Sequence, residues 1–172
     1  RNLTAGEIVD QVLKIQKDIS EKEFGEPKLS NIVFMGMGEP LLNFDNVVTS
    51  IRWLTSENGL SISHRRITLS TVGLAEQIKK LADEDLKINL ALSLQVADDE
   101  KRNKIVPVNK RHPLPNLKEA LKYFYDKTGL RITIEYILFK DFNDSLEDAS
   151  QLASFCKNFP VKVNVIEYNP VE

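Results

Sequence analysis

Residues 31–43 read NIVFMGMGEPLLN, and they gather residue types that can hold a small charged ligand. Gly36 and Gly38 let main chain come close to a bound group. The carboxylate of Glu39 can accept hydrogen bonds from an ammonium group, and Pro40 fixes φ and removes a donor, so the turn is held. The apolar run before the glycines reads as a buried strand. The C-terminal end of such a strand is where a barrel or open α/β sheet keeps its chemistry. A plainer reading fits the same residues: a strand-to-helix turn with an incidental acid.

A site of this kind needs several strand ends side by side, and the rest of the chain supplies them. Ile8, Val12, Ile15 and Ile19 recur at helical spacing, with Thr4 as N-cap and Glu7 three residues on. A strand over 31–36 is followed by a helix over 44–57, closed by Asn58 and Gly59. The pattern then gives a strand over 66–71, a helix over 74–83, a strand over 87–94 and a polar helical turn over 98–105. A proline-marked loop over 107–115 precedes a helix over 116–127, stopped by Gly129. A strand over 131–138, a helix over 145–157 with Asp144 as N-cap, and a strand over 161–167 complete the series. Alternation without hairpin turns predicts right-handed crossovers and a parallel sheet. No low-complexity linker interrupts it, so residues 1–172 read as a single domain.

Strand parity narrows the architecture. Ile88, Leu90, Leu92 and Leu94 share one face, while Asn89, Ala91, Ser93 and Gln95 share the other. Thr68 and Ser70 oppose Ile67 and Leu69; Arg131, Thr133 and Glu135 oppose Ile132, Ile134 and Tyr136. One face is suited to helices and the other is polar, which fits a barrel with a wet, ligand-holding interior. An α+β sheet with one solvated face is the alternative. The last strand is less clean, because Val163 and Val165 share a side with Asn169.

The 172 residues suit one core, and 42% hydrophobic with 28% charged content is ordinary for a globular protein. No apolar run approaches a membrane span of about 18 residues. The single Cys156 excludes an internal disulfide framework or a multi-cysteine metal site within this chain, and a cytoplasmic setting is the expectation. The net charge of −2 means that a nucleic-acid partner would need a local basic patch. Lys101, Arg102, Lys104, Lys110 and Arg111 could form one, although Asp98, Asp99 and Glu100 beside them favour a solvated loop rim. His64, Arg65 and Arg66 open a strand and read as structural, and His112 has no cluster partners. Asn143 and Asp144 cap a helix at the active end of the sheet. Trp53 and the helical Phe residues read as core. The chain opens at Arg1 and stops just after Asn169 and Pro170, so it reads as a fragment of a longer protein.

The string MGMGEPLLN resembles the glycine–glutamate–proline segment of the RlmN/Cfr family of radical S-adenosylmethionine (SAM) RNA methyltransferases. The strings RRITLSTVG, NLALSLQVADDEKRNKIVPVNK, RITIEYILFKDFND and KVNVIEYNP resemble that family's segments in the same order. The resemblance implies a partial (β/α)6 barrel lacking the first strand, with its C-x3-C-x2-C loop, and the C-terminal segment. It further implies that Gly38 and Glu39 hold the methionyl end of SAM, where an ammonium–carboxylate contact is the physical reason for the acid. Ser70 matches a SAM-contacting serine. Ser93, Leu94 and Gln95 match a serine–leucine–histidine stretch, and Asn169 matches an asparagine on the nucleoside side of SAM. Gln95 departs from the family's usual His; an amide keeps a donor and an acceptor but does not titrate.

By the same resemblance, a reduced [4Fe-4S] cluster cleaves SAM to a 5′-deoxyadenosyl radical, and a methyl group carried on a C-terminal cysteine is added to an adenine ring carbon. Neither the cluster cysteines nor the methyl-carrying cysteine is in this chain. The expectation is therefore a SAM-binding core that is inactive by itself, within an enzyme that methylates C2 of adenine in 23S ribosomal RNA, with transfer RNA a further candidate. C8 methylation, as in the Cfr branch, stays open. RNA is the expected partner, and an incomplete barrel with an open strand edge could self-associate. Two other readings remain: a radical SAM enzyme acting on a small molecule or protein, and a non-catalytic α/β binding domain. A sugar-phosphate barrel enzyme would want a late glycine-rich loop, and the last glycine is Gly129.

Overall fold

The computed structural model describes residues 1–22 and 29–169; Pro170, which follows the candidate Asn169, lies outside the described residues. Helix α1 (Ala5–Lys22) precedes β1 (Ile32–Phe34) and α2 (Phe44–Thr55). Then come β2 (Ile67–Thr71), α3 (Ala75–Asp83), β3 (Asn89–Ser93), α4 (Asp99–Ile105) and α5 (Leu114–Thr128). Strand β4 (Ile132–Leu138), α6 (Leu146–Phe155) and β5 (Val161–Glu167) follow. All four strand pairings are parallel, in the order β1-β2-β3-β4-β5. A strictly sequential order is that of a barrel wall, because right-handed crossovers then lay the helices on one face. A doubly wound sheet would reverse its order.

The parity of the strands becomes the two faces of this wall. Ile67, Leu69, Leu90, Leu92, Ile132 and Ile134 are fully buried and join one core cluster with Ile51, Leu54, Ile78, Leu117 and Phe124 from the helices. Burial of each such side chain is worth about 1.5–3 kcal/mol. On the opposite face the register sets Ser70 beside Ala91 and Ala91 beside Thr133. Ser93 lies beside Glu135 and Glu135 beside Asn164, whose amide donates to the Glu135 carboxylate at 3.0 Å. Helices α3 and α5 pack together, and the Tyr123 hydroxyl donates to Asp83 across them at 2.8 Å.

The start of α1 follows its sequence signal. Thr4 Oγ1 accepts the Glu7 N–H at 3.2 Å, and the Glu7 carboxylate accepts the Thr4 N–H at 2.8 Å. Four local expectations shift. The N-cap of α6 is Ser145, not Asp144, with Asp148 completing a capping box. The proline-marked loop holds a 3-10 turn (Pro107–Lys110), and α5 already begins at Leu114 with Pro115 in its first turn. Trp53 is 38% exposed, whereas Phe44, Phe124 and Phe155 are buried as expected. Cys156 stands in a 3-10 turn (Cys156–Asn158) after α6, half-buried, and burial pushes its thiol up. No helix among the described residues is long and apolar enough to cross a membrane.

Candidate functional site

The loop after β1 carries two left-handed glycines, Gly36 at φ +118° and Gly38 at φ +100°, and the space where a Cβ would stand is open at both. A side chain would strain the backbone here and fill that space. Glu39 then caps the 3-10 turn (Pro40–Asn43). Its Oε1 accepts the Leu41 N–H at 3.0 Å and its Oε2 accepts the Val72 N–H at 2.8 Å. The carboxylate thus fastens the end of β1 to the end of β2. With about four lone-pair positions on a carboxylate, acceptor capacity remains for a cation. A groove of about 550 Å³ runs along α1 and β1 and reaches Gly38 and Glu39.

The next two strands bring Ser70 and Ser93 together, Oγ to Oγ 3.4 Å. Ser93 and Gln95 also line a cavity of about 360 Å³ with Val72, Val106, Ile137 and Phe139. Gln95 adopts φ 64°, a left-handed conformation uncommon outside glycine and often found at functional sites. That conformation has a visible consequence. The Gln95 side-chain Oε1 accepts the Ile137 N–H at 3.3 Å, while its carbonyl accepts the Asn143 amide at 2.8 Å. Leu94, between the two polar residues, turns its side chain into the core and is fully buried. Asn169 lies exposed two residues past the end of β5, its amide 3.5 Å from the Glu167 carbonyl. Beside it, Tyr168 packs on Phe139 with ring centroids 5.0 Å apart.

Two further residues hold the site's strand ends. Asn143 is 1% exposed, donates to the Gln95 and Ile137 carbonyls at 2.8 Å each, and accepts the Phe139 N–H at 2.7 Å. Its own carbonyl accepts the Tyr136 hydroxyl at 3.1 Å, and burial, with Asp148 nearby, pushes that phenol up to about 12. Arg102 is not part of a basic rim: it is fully buried. It donates to the Leu94 carbonyl at 2.9 Å, to Asn109 Oδ1 at 2.5 Å and to the Val72 carbonyl at 2.5 Å. Lys101 is engaged as well, 2.6 Å from Asp148. Lys104, Lys110 and Arg111 stay exposed. The signal for Asn143 lay in its place just past a strand end; Arg102 has no local signal, because its carbonyl partners are distant in sequence.

The donor set does not fit an iron–sulfur cluster. Such clusters need several thiolates, this chain has Cys156 alone, and no group of three metal-binding side chains occurs among the described residues. The glycine turn and the carboxylate leave room and acceptor capacity for an ammonium group, and the hydroxyl–amide cavity offers donors and acceptors to a polar ligand.

Comparison with known proteins identifies the family. Residues 2–153 match the family model described as the radical SAM superfamily. The chain is 54% identical over 172 residues to "Probable dual-specificity RNA methyltransferase RlmN" of Flavobacterium psychrophilum, covering 100% of this chain and 49% of that protein. The protein of the same name from Salinibacter ruber is 54% identical over 173 residues, covering 99% of this chain and 46% of the relative. A solved radical SAM methyltransferase from Sphaerobacter thermophilus superposes with a TM-score of 0.93 at 40% identity, over 99% of this chain and 49% of that one. The chain thus spans about half the length of the relatives it matches. A sequential parallel wall with its polar residues at the strand ends, and a family model matched over residues 2–153, make this chain a member of the radical SAM superfamily.

Proposed function

We propose that this chain is the SAM-binding core of an RlmN-type RNA methyltransferase that modifies C2 of adenine in 23S ribosomal RNA and in transfer RNA. The observation that carries the reading is the convergence of Gly38, Glu39, Ser70, Ser93 and Gln95 at the C-terminal ends of neighbouring parallel strands. The names of the relatives support the RNA substrate and the dual specificity.

In this reading Gly38 and Glu39 receive the methionyl end of SAM. Glu39 accepts from the ligand's ammonium group while its two backbone contacts keep it from swinging away. Ser70 and Ser93 present hydroxyls to the ligand from the polar face. Gln95 offers its amide N–H pair in the cavity, its Oε1 being occupied by Ile137. Leu94 serves through its main chain, and Asn169 meets the nucleoside side from the end of β5. A reduced [4Fe-4S] cluster, whose thiolate ligands this chain does not supply, would provide the electron for SAM cleavage. Exposed Lys104, Lys110 and Arg111 are placed to meet RNA phosphates, and the setting is cytoplasmic. The exposed Val33 and Met35 at the β1 edge of the wall favour self-association of the isolated chain.

The test uses the full-length protein, loaded anaerobically with its cluster and supplied with SAM, reductant and a ribosomal RNA fragment. Mass spectrometry is expected to find 5′-deoxyadenosine together with methyl on adenine C2. Methyl on C8 would move the protein to the Cfr branch. Deoxyadenosine without methylated RNA would discard the RNA substrate.

A further inference from the structure

We propose that Arg102 is a positioning residue for the SAM site, setting the distance between the Glu39 side of the site and the Ser93–Gln95 side. The inference rests on the SAM-binding reading above.

Its geometry is unusual for a charged side chain. The guanidinium reaches back from α4 between two strand ends, with Nε on the Leu94 carbonyl and a terminal nitrogen on the Val72 carbonyl. The other terminal nitrogen is held by Asn109 Oδ1. Asn109 is itself 1% exposed and donates to Asp99 and Asn103 at 2.8 and 2.9 Å. Both strand ends it grips belong to the candidate site. Val72 is the residue whose N–H the Glu39 carboxylate accepts. Leu94 stands between Ser93 and Gln95. A single planar group thus ties the partner of Glu39 to the residue beside Gln95.

Stability alone does not call for an arginine here. Burying a guanidinium on neutral acceptors carries a desolvation cost, and apolar residues of similar volume are often at least as stabilising in such places. Burial lowers the Arg102 pKa to about 10, with Asp99 opposing the shift, so the group stays charged at neutral pH. What the fork supplies is fixed geometry: rigid, planar, and able to serve three acceptors at once. Lysine has the charge but not the fork. Small misplacements of ligand-holding groups are costly in turnover, about a hundredfold for 1 Å.

The test is made on the full-length protein with its cluster loaded. Arg102→Lys is titrated with SAM without RNA, following the SAM-dependent change in the electron paramagnetic resonance spectrum of the reduced cluster. Turnover is then measured against SAM and RNA separately. The expected result is a rise of about tenfold or more in half-saturating SAM, with the KM for RNA unchanged. Asn109→Ala, which frees one arm of the fork and leaves the charge, is expected to raise half-saturating SAM severalfold, and it carries the test by itself if Arg102→Lys does not fold. Wild-type SAM saturation in the folded variants, or a defect confined to the KM for RNA, overturns the assignment. Absence of any SAM-dependent spectral change in the wild-type protein would instead overturn the SAM reading, and the role of Arg102 with it.

Discussion

Asn143 donates one N–H of its amide to the Gln95 carbonyl and the other to the Ile137 carbonyl, both at 2.8 Å. Together with Gln95 Oε1 on the Ile137 N–H, this buried side chain bridges the ends of β3 and β4 beyond Ser93 and Glu135, where the paired register stops. Asn143→Ala would leave two carbonyls and the Phe139 N–H without partners. The expected loss is about 2–3 kcal/mol of unfolding free energy, measured by urea denaturation of the full-length protein. A variant as stable as wild type would mean that these groups find other partners.

Glu39→Ala removes the tie to Val72 and the acceptor proposed for a ligand ammonium. SAM binding is expected to weaken by at least about tenfold, in line with the loss of a charge-assisted hydrogen bond. The iron content of the loaded protein should be unchanged. Calorimetric titration with SAM and an iron assay check the two halves separately, and a wild-type turnover rate removes Glu39 from the site.

Gln95→His places a titrating ring where an amide now stands. Histidine tolerates left-handed backbone better than bulky or β-branched residues do, so the variant is expected to fold. Its rate–pH profile should gain an inflection near about pH 6.5 that the native protein lacks. Superimposable profiles would show that the side chain at this position takes no part in proton-sensitive steps.

Asp148 links acid stability to the rim. Burial works to raise its pKa, but hydrogen bonds from Lys101 and Ser145 outweigh it, and the net shift is downward from 3.8. A lowered folded-state pKa means that the stabilisation is complete above the ordinary Asp value and is lost as pH falls below it. Asp148→Asn should therefore be less stable than wild type at neutral pH. The gap should narrow as pH falls from about 5 to about 2, as read by denaturation midpoints across that range. A gap independent of pH would mean that packing, not charge, explains the loss.

Much of the wall was legible because it rests on local periodicity. The final strand falls on the expected residues 161–167 although its alternation is the least clean of the series, and the face carrying Leu90 and Leu92 is the buried one. Smaller misses were readable in principle. Ser145 and Asp148 form the spacing of a capping box, and Pro115 suits a first helical turn better than a loop. Arg102 was different. Its acceptors are carbonyls of Val72 and Leu94, and a carbonyl leaves no mark in a sequence. The family resemblance singled out Glu39, Ser70, Ser93 and Gln95, but it said nothing of the residues that hold them in register.

The rim joints have one property in common: Glu39, Arg102 and Asn143 all grip main-chain atoms. Val72 and Ile137 are thus held by their peptide groups, and both residues line the cavity. At these two positions, unlike at Gln95, frame and lining are separable. The cavity wall can be retailored by substitution at these two positions without loosening the strand ends, so a change of ligand preference need not cost the molecule its architecture. For redesign, the practical order is to leave the three gripping side chains alone and vary the residues they hold.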